Sequence, residues 1–373
     1  MTSAPANLMT IMKRTVSSKS RLIALGLTVW LGGCANLGYY AQAVDGHSNI
    51  RNKIRPIHAV IADPDAEPAL KRSLATIVQL REFAIRNLKL PDNQSFTTYA
   101  DLGRRYAIWN VSATPELSLH PEKWCFVAVG CVSYRGFFSE TEANRFADDL
   151  RKKGYDVSVG GVRTYSTLGW FRDPILNTFL GYSDTELAQL IFHELAHQVV
   201  YVRDDSTFNE SFATAVELEG IAHWLKEHGT EKQRVLFNVG QERKAASAAL
   251  MVEYRKRLED LYASDESDDE KRAGKARLFA ELREQMSSLV TDKTKAAAYD
   301  RWLAQHLNNA HLASVSTYTQ LVPAFRALLA QHEGNMDRFY EAVRALGRLP
   351  AAERAALLHG MDTGGQSASN TIP

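Results

Sequence analysis

The segment Phe192-His193-Glu194-Leu195-Ala196-His197 sets two imidazoles four positions apart, with a carboxylate directly after the first. On a helix this spacing puts His193 and His197 on one face, so both can address a single ion. Glu194 lies about 100° around the helix from His193, where it flanks the ion's open position and can take a proton from water. A catalytic site of this kind needs a third protein donor and keeps its fourth position for water. The best candidate is Glu210, in Asn209-Glu210-Ser211-Phe212-Ala213, with twelve residues between it and His197. Glu217 lies seven residues further on the same helical face, where it either orients a ligand histidine or replaces Glu210 as ligand. His223 and His228 lie too far along to be needed. The expected cofactor is therefore one Zn2+ on His193, His197 and Glu210, with Glu194 as general base. The competing reading is an apolar helix with two buried histidines and no metal. Burying two histidines and two glutamates together without an ion is costly, which weighs against it.

Two neighbouring helices must position these groups. Ser183-Asp184-Thr185-Glu186 is a capping-box pattern that opens an apolar-periodic segment running to about Val202. The polar Asp204-Asp205-Ser206-Thr207 follows, and a second helix is expected over 208–228. Upstream, strand-like stretches cover 106–111, 124–138 and 155–165, with a helix at 140–153 closed by Gly154. Residues 36–62 and 66–88 read as a helical hairpin broken at Asp63-Pro64-Asp65. From 232 onward the chain is helix-rich, and the acidic run Ser264 to Glu270 reads as a solvated loop. These elements predict an α+β fold with a small mixed sheet and active-site helix, an N-terminal helical hairpin and a helix-rich C-terminal half; through its HExxH helix the catalytic core resembles the zincin fold. The expected divisions are a signal peptide at 1–33, a helical segment at 34–95, the core at 96–230, a helical subdomain at 231–359 and a disordered tail at 360–373.

Composition narrows the setting. The 373 residues carry 44 Lys+Arg against 43 Asp+Glu, with 45% hydrophobic and 23% charged residues, an ordinary globular mix. A net charge of +1 gives no electrostatic case for nucleic acid. Lys13, Arg14, Lys19 and Arg21 precede an apolar run from Leu22 to Leu31, too short to span a bilayer but suited to a signal peptide, for which Met12 is a more typical start than Met1. Removing residues 1–33 deletes four basic and no acidic side chains and leaves a mature charge of −3. Leu31-Gly32-Gly33-Cys34 resembles the bacterial lipobox, which implies lipidation of Cys34 and a membrane anchor. Ala35, where an inner-membrane retention signal carries Asp, favours the outer membrane facing the periplasm by the same resemblance. In that oxidising compartment Cys125 and Cys131 are expected to pair.

HExxH followed by Asn-Glu-x-x-Ala resembles the gluzincin metallopeptidases, the thermolysin-like enzymes and zinc aminopeptidases. That resemblance implies His193, His197 and Glu210 as ligands and Glu194 as base, although the insert between the two motifs is shorter here. Trp124-Cys125, Cys131 to Gly136, Tyr165 to Trp170, the HELAHQ and NESFA segments and Asn308 to Tyr318 further resemble a bacterial lipoprotein family labelled as aminopeptidases. The implied reaction is hydrolysis of peptide bonds in a peptide or protein substrate. An oxyanion stabiliser beyond the third ligand is expected, with Tyr318 preferred over His311 and Tyr201. Val132–Phe138 or Val157–Tyr165 is expected to hold the substrate backbone by strand addition. The Gly-x-Met-Glu-Asn motif with which zinc aminopeptidases grip a free amine is absent. Two other readings remain at this level: a zinc amidohydrolase acting on peptidoglycan stem peptides, and a non-catalytic zincin-fold binding module.

Overall fold

The computed structural model describes residues 38–126, 130–164, 167, 172–290 and 293–368; the side chains of 293–296, 315–319 and 362–368 lie outside that description. Cys34 and the signal segment therefore fall outside the described residues. The chain divides into two units, Met1–Asn49 and Ile50–Pro373. Helix α1 (residues 38–51) is the described part of the first unit and runs two residues into the second. No described helix is long and apolar enough to cross a membrane.

The stretch expected to be one helix over 36–62 is interrupted by β1 (Ile54–Pro56) before α2 (Ile57–Ala62) begins. Pro56 has no backbone donor and biases the residue before it toward extended backbone, so a continuous helix cannot pass. Helix α3 (Pro68–Leu88) starts on a proline and buries Leu74, Ile77, Leu80, Phe83, Ala84 and Leu88, the three-to-four spacing of a helix with one face in the core.

Three small sheets follow. β1 pairs antiparallel with β2 (Thr98–Ala100), which pairs parallel with β8 (Ile175–Leu176). β3 (Ile108–Pro115) is the centre of the second sheet, between β6 (Arg135–Phe137) and β7 (Tyr155–Val162), all antiparallel. The register of β3 with β7 runs from Ile108↔Val162 to Pro115↔Tyr155. The strand expected over 124–138 is divided among β4 (Trp124–Phe126), β5 (Gly130–Val132) and β6. β4 and β5 form a hairpin in which Cys125 and Cys131 lie directly opposite and are joined by a disulfide. Helix α4 (Glu140–Arg151) packs on the face of β3 and β7 that carries the buried Trp109, Val111, Ala113 and Val157.

The capping box forms: the Ser183 side chain accepts from Glu186 N, and the Glu186 carboxylate accepts from Ser183 N at 2.8 Å. Helix α5 (Asp184–Ala196) opens there and ends at His197, short of the expected Val202. The β-branched and aromatic run Val199-Val200-Tyr201-Val202 is a poor helix former, and tight turns replace the last helical bonds. Helix α6 (Ser206–His228) starts under an Asp205 cap. After it come α7 (Glu231–Ala263), α8 (Asp268–Ser288), α9 (Lys293–His306), α10 (Asn309–Thr319), α11 (Val322–Gln331), α12 (Met336–Arg348) and α13 (Ala351–Ala368). The acidic run turns out to be partly a helix start: Ser267 and Glu270 form a capping box, and Asp268 and Asp269 sit in the first turn of α8, where the helix dipole favours them. Helix α13 passes Gly360, the expected start of the tail. Its opening Ala-Ala-Glu-Arg-Ala-Ala-Leu-Leu is a strong helix seed, and propagation past a formed nucleus is easy.

The larger hydrophobic core draws on α2, α3, β2, β8, α5 and α6, and equally on α11, α12 and Leu358 of α13. A second core joins Leu119 to α7, α8, α9 and α10 through Tyr254, Leu258, Leu282, Met286, Leu303 and Leu312. Packing therefore does not break at 95 or 230, because the last three helices return to cover the helices that carry the histidines.

Candidate metal centre

α5 and α6 lie side by side, and their facing residues converge. His193 Nε2 is 3.2 Å from Glu210 Oε2 and 3.2 Å from His197 Nε2, and His197 Nε2 is 3.6 Å from Glu210 Oε2. These edges match the roughly 3.3 Å that separate donors in a tetrahedral site with bonds of about 2.0 Å. The three residues form the one group of potential metal donors among the described residues, and each is mostly or fully buried. Two ring nitrogens and a carboxylate oxygen pointed at one spot make little sense as a self-sufficient hydrogen-bond network. His197 Nδ1 is buried with no partner, so its ring gains nothing by donating elsewhere. The donor set fits a first-row divalent ion with one open position.

Electrostatics within the cluster follow from burial set against opposite charge. Burial pulls the His193 imidazole down, but hydrogen bonds to Glu210 and Glu217, with the charges of Glu210 and Glu194, overcome it and push the group up to about 10. Burial also works against the Glu210 carboxylate, yet the charge of His197 and hydrogen bonds from both histidines hold it far below the usual carboxylate range. Glu194 moves the other way: burial raises it, only partly offset by the two histidines. No hydrogen bond to another described side chain ties it up. A buried carboxylate of raised basicity beside the open position is what a general base requires.

Glu217 stands behind the ligands. Its Oε2 is 3.2 Å from His193 Nδ1, and its Oε1 accepts from Gln189 Nε2 at 2.9 Å. A carboxylate there fixes the ring so that Nε2 faces the metal position. Of the two roles open for Glu217 at the level of sequence, the geometry matches the orienting one.

The short insert closes through the polar Asp204-Asp205 loop expected before the second helix, together with Asn209 and Arg354. Asn209 is buried and grips the main chain of Val202 twice: its Oδ1 accepts from Val202 N and its Nδ2 donates to Val202 O, both at 2.7 Å. Asp205 Oδ1 accepts from Phe208 N at 3.0 Å, while its Oδ2 receives Arg354 Nε at 3.0 Å and Nη2 at 2.7 Å. Asp204 turns the chain with a φ of 67°, and its carboxylate accepts from Cys131 N at 2.5 Å. The disulfide hairpin thus leans on the α5–α6 turn. Gly130 has a φ of 77°, and a side chain there would collide with Asp204 and Arg203. Beyond that loop, a buried asparagine just before the ligand glutamate was the one local signal for this bracing.

Beside the triad opens a cleft of about 450 Å³, lined by Glu210, by Asn110 and Ser112 of β3, by residues 158–162 of β7, and by His311. Burial and the nearby His306 hold His311 down to about 4, so this imidazole stays neutral. Val157 O accepts from Asn308 Nδ2 at 3.0 Å, so the main-chain groups of Val157 face away from β3. Val159 and Gly161 share that direction by the two-residue period, which turns the outer edge of β7 toward the cleft. Both strand segments expected to receive substrate reach this cleft, Val132–Phe138 through Ser133 and Tyr134 and Val157–Tyr165 through residues 158–162. Tyr201 is half-exposed, and burial followed by the Glu210 charge raises its hydroxyl. Tyr318 lies on α10, but its side chain is outside the described residues.

Residues 38–358 match the model of a family described as "Putative aminopeptidase". No curated protein and no solved structure matches the chain.

Proposed function

The chain belongs to that aminopeptidase family, a finding that supports peptidase activity in general, and from this premise we propose that it is a zinc-dependent peptidase of the bacterial envelope. The observation that carries the reading is the triangle of His193 Nε2, His197 Nε2 and Glu210 Oε2 with the unengaged Glu194 carboxylate beside it. Zinc bound there supplies a Lewis acid and brings the pKa of a water toward about 7. Glu194 takes the proton of the attacking water and returns it to the leaving amine. Glu217 and Gln189 keep the His193 ring in place throughout. The outer edge of β7 offers Val159 and Gly161 N–H and C=O groups to an extended peptide, and we assign a developing oxyanion to His311, which lines the cleft with Glu210.

The test compares the wild type with Glu194→Gln, measuring bound metal and cleavage of a peptide library. The variant is expected to keep the metal and lose about 10²- to 10⁴-fold in kcat. Undiminished turnover in Glu194→Gln would refute the mechanism. The envelope location rests on the resemblance of Leu31–Cys34 to a lipobox. Labelling with a radioactive fatty acid should disappear in Cys34→Ser, and label retained by that variant removes the anchor.

A further inference from the structure

Among the walls of the cleft, the floor is the unusual one. β3 alternates: Trp109, Val111 and Ala113 are buried under α4, while Asn110 and Ser112 face the cleft. Their partners across the sheet are Gly160 and Ser158, so the face of the sheet turned away from α4 is paved with small polar residues and glycine. Asn110 Oδ1 is buried and has no hydrogen-bond partner. A side chain added at Gly160 would meet nothing within 4 Å, so space is open next to that amide. The cleft lining contains no Lys, Arg or Asp, and its one Glu is Glu210, already committed to the metal donors. The undescribed stretches between 127 and 171 contain no charged residue that could add a charge.

Taking the peptidase reading as its premise, we propose that this floor determines specificity: it selects substrates whose residue entering the cleft is small, uncharged and able to hydrogen-bond, with Asn110 as the reading residue. A charged side chain placed there would lose its hydration among lining residues that offer it no free counter-charge. A bulky apolar one would cover Asn110, Ser112 and Ser158 and leave them dehydrated and unpartnered. A Ser, Thr, Asn or Gln side chain returns a hydrogen bond to Asn110 and fits above Gly160.

The experiment separates binding from turnover. Fluorescent hexapeptides on an alanine scaffold, carrying Ser, Asn, Leu, Lys or Glu at a single varied position, are titrated into metal-loaded Glu194→Gln by anisotropy and assayed for cleavage by the wild type. Ser and Asn peptides are expected to bind and react roughly a hundredfold better than Lys or Glu peptides. With Asn110→Asp added, Lys peptides should gain about tenfold and Glu peptides nothing. Cleavage that is indifferent to charge, or an Asn110→Asp variant that leaves the Lys-to-Glu ratio unchanged, overturns the specificity assignment and leaves the peptidase standing. Selective binding with no wild-type cleavage would uphold the cleft assignment while sinking the peptidase reading. Absence of any peptide binding overturns the assignment itself.

Discussion

The metal corner and the cleft floor are neighbours that share Glu210, yet they treat polar groups in opposite ways. In the corner, Asn209, Asp205, Glu217, Gln189 and Arg354 all have partners, and several make two bonds. On the floor, Asn110 Oδ1 has none, and among the described residues the Ser112 and Ser158 hydroxyls make no hydrogen bond. The difference reflects when each group meets its ligand. Metal donors work only if held to within about 0.5 Å of their geometry beforehand, which demands a supporting shell. Groups meant for a substrate must stay open until it arrives, at a cost to the unliganded fold.

The largest effect should come from loosening the corner where its brace is longest. Arg354 is 4% exposed; besides Asp205 it bonds Leu349 O at 2.8 Å and lies over the Phe208 ring. Arg354→Met keeps most of the volume but leaves Asp205 without its cation. Breaking a buried ion pair costs about 3–5 kcal/mol, and the lower figure applies because the Asp205 side chain is 27% exposed and can rehydrate. Urea unfolding should register that loss, together with weaker metal binding. A stability change below about 1 kcal/mol would mean that the corner is not held from α13.

How much of this could be read in advance depended on distance along the chain. The HExxH face, the capping box and the cap of α6 are local patterns, each complete within a few residues, and the helix period alone aligns them. Glu210 and Glu217 could be named, but their division of labour needed the rotation of α6 against α5. Arg354 gave no signal, because its partner lies 149 residues away and a lone arginine in a helical segment ordinarily reads as surface. The return of α11 and α12 to the larger core was equally hidden, since an apolar helical face does not say which neighbour covers it. The polar floor was hidden for a related reason: Asn110-Val111-Ser112 looks like half-exposed strand until the register sets it opposite Ser158 and Gly160.

A smaller effect is expected at Glu217→Gln, and its pH dependence carries the information. Glu217 makes His193 a better ligand, so its loss should weaken metal binding roughly tenfold or more. The same carboxylate also stabilises the proton that competes for His193, helping to hold that imidazole up to about 10 without metal. Metal uptake by the wild type should therefore release a proton and tighten as pH rises from 6 to 9. In Glu217→Gln both influences weaken together, so the deficit in affinity should be small at pH 6 and widen toward pH 9. A deficit that shrinks with rising pH would show that Glu217 does not act through His193.

The smallest effect bears most directly on the contrast and has the opposite sign. Asn110→Val replaces a half-buried amide whose Oδ1 is buried and unpartnered with a β-branched side chain of similar size at the centre of a strand. Gly136 lies across from it on β6, so the new methyl groups meet no opposing side chain there. Removing an unsatisfied polar group from a buried position, and adding a residue suited to a pleated surface, should raise stability by about 1 kcal/mol. The bracing residues of the corner, Asn209, Asp205, Glu217, Gln189 and Arg354, offer no equivalent substitution, since each is engaged. Thermal unfolding of the metal-loaded protein would detect the gain as a shift of a few degrees. A destabilised Asn110→Val would mean that the amide is satisfied in the resting protein, by water or by rearrangement, and the floor would then be as fully committed as the corner.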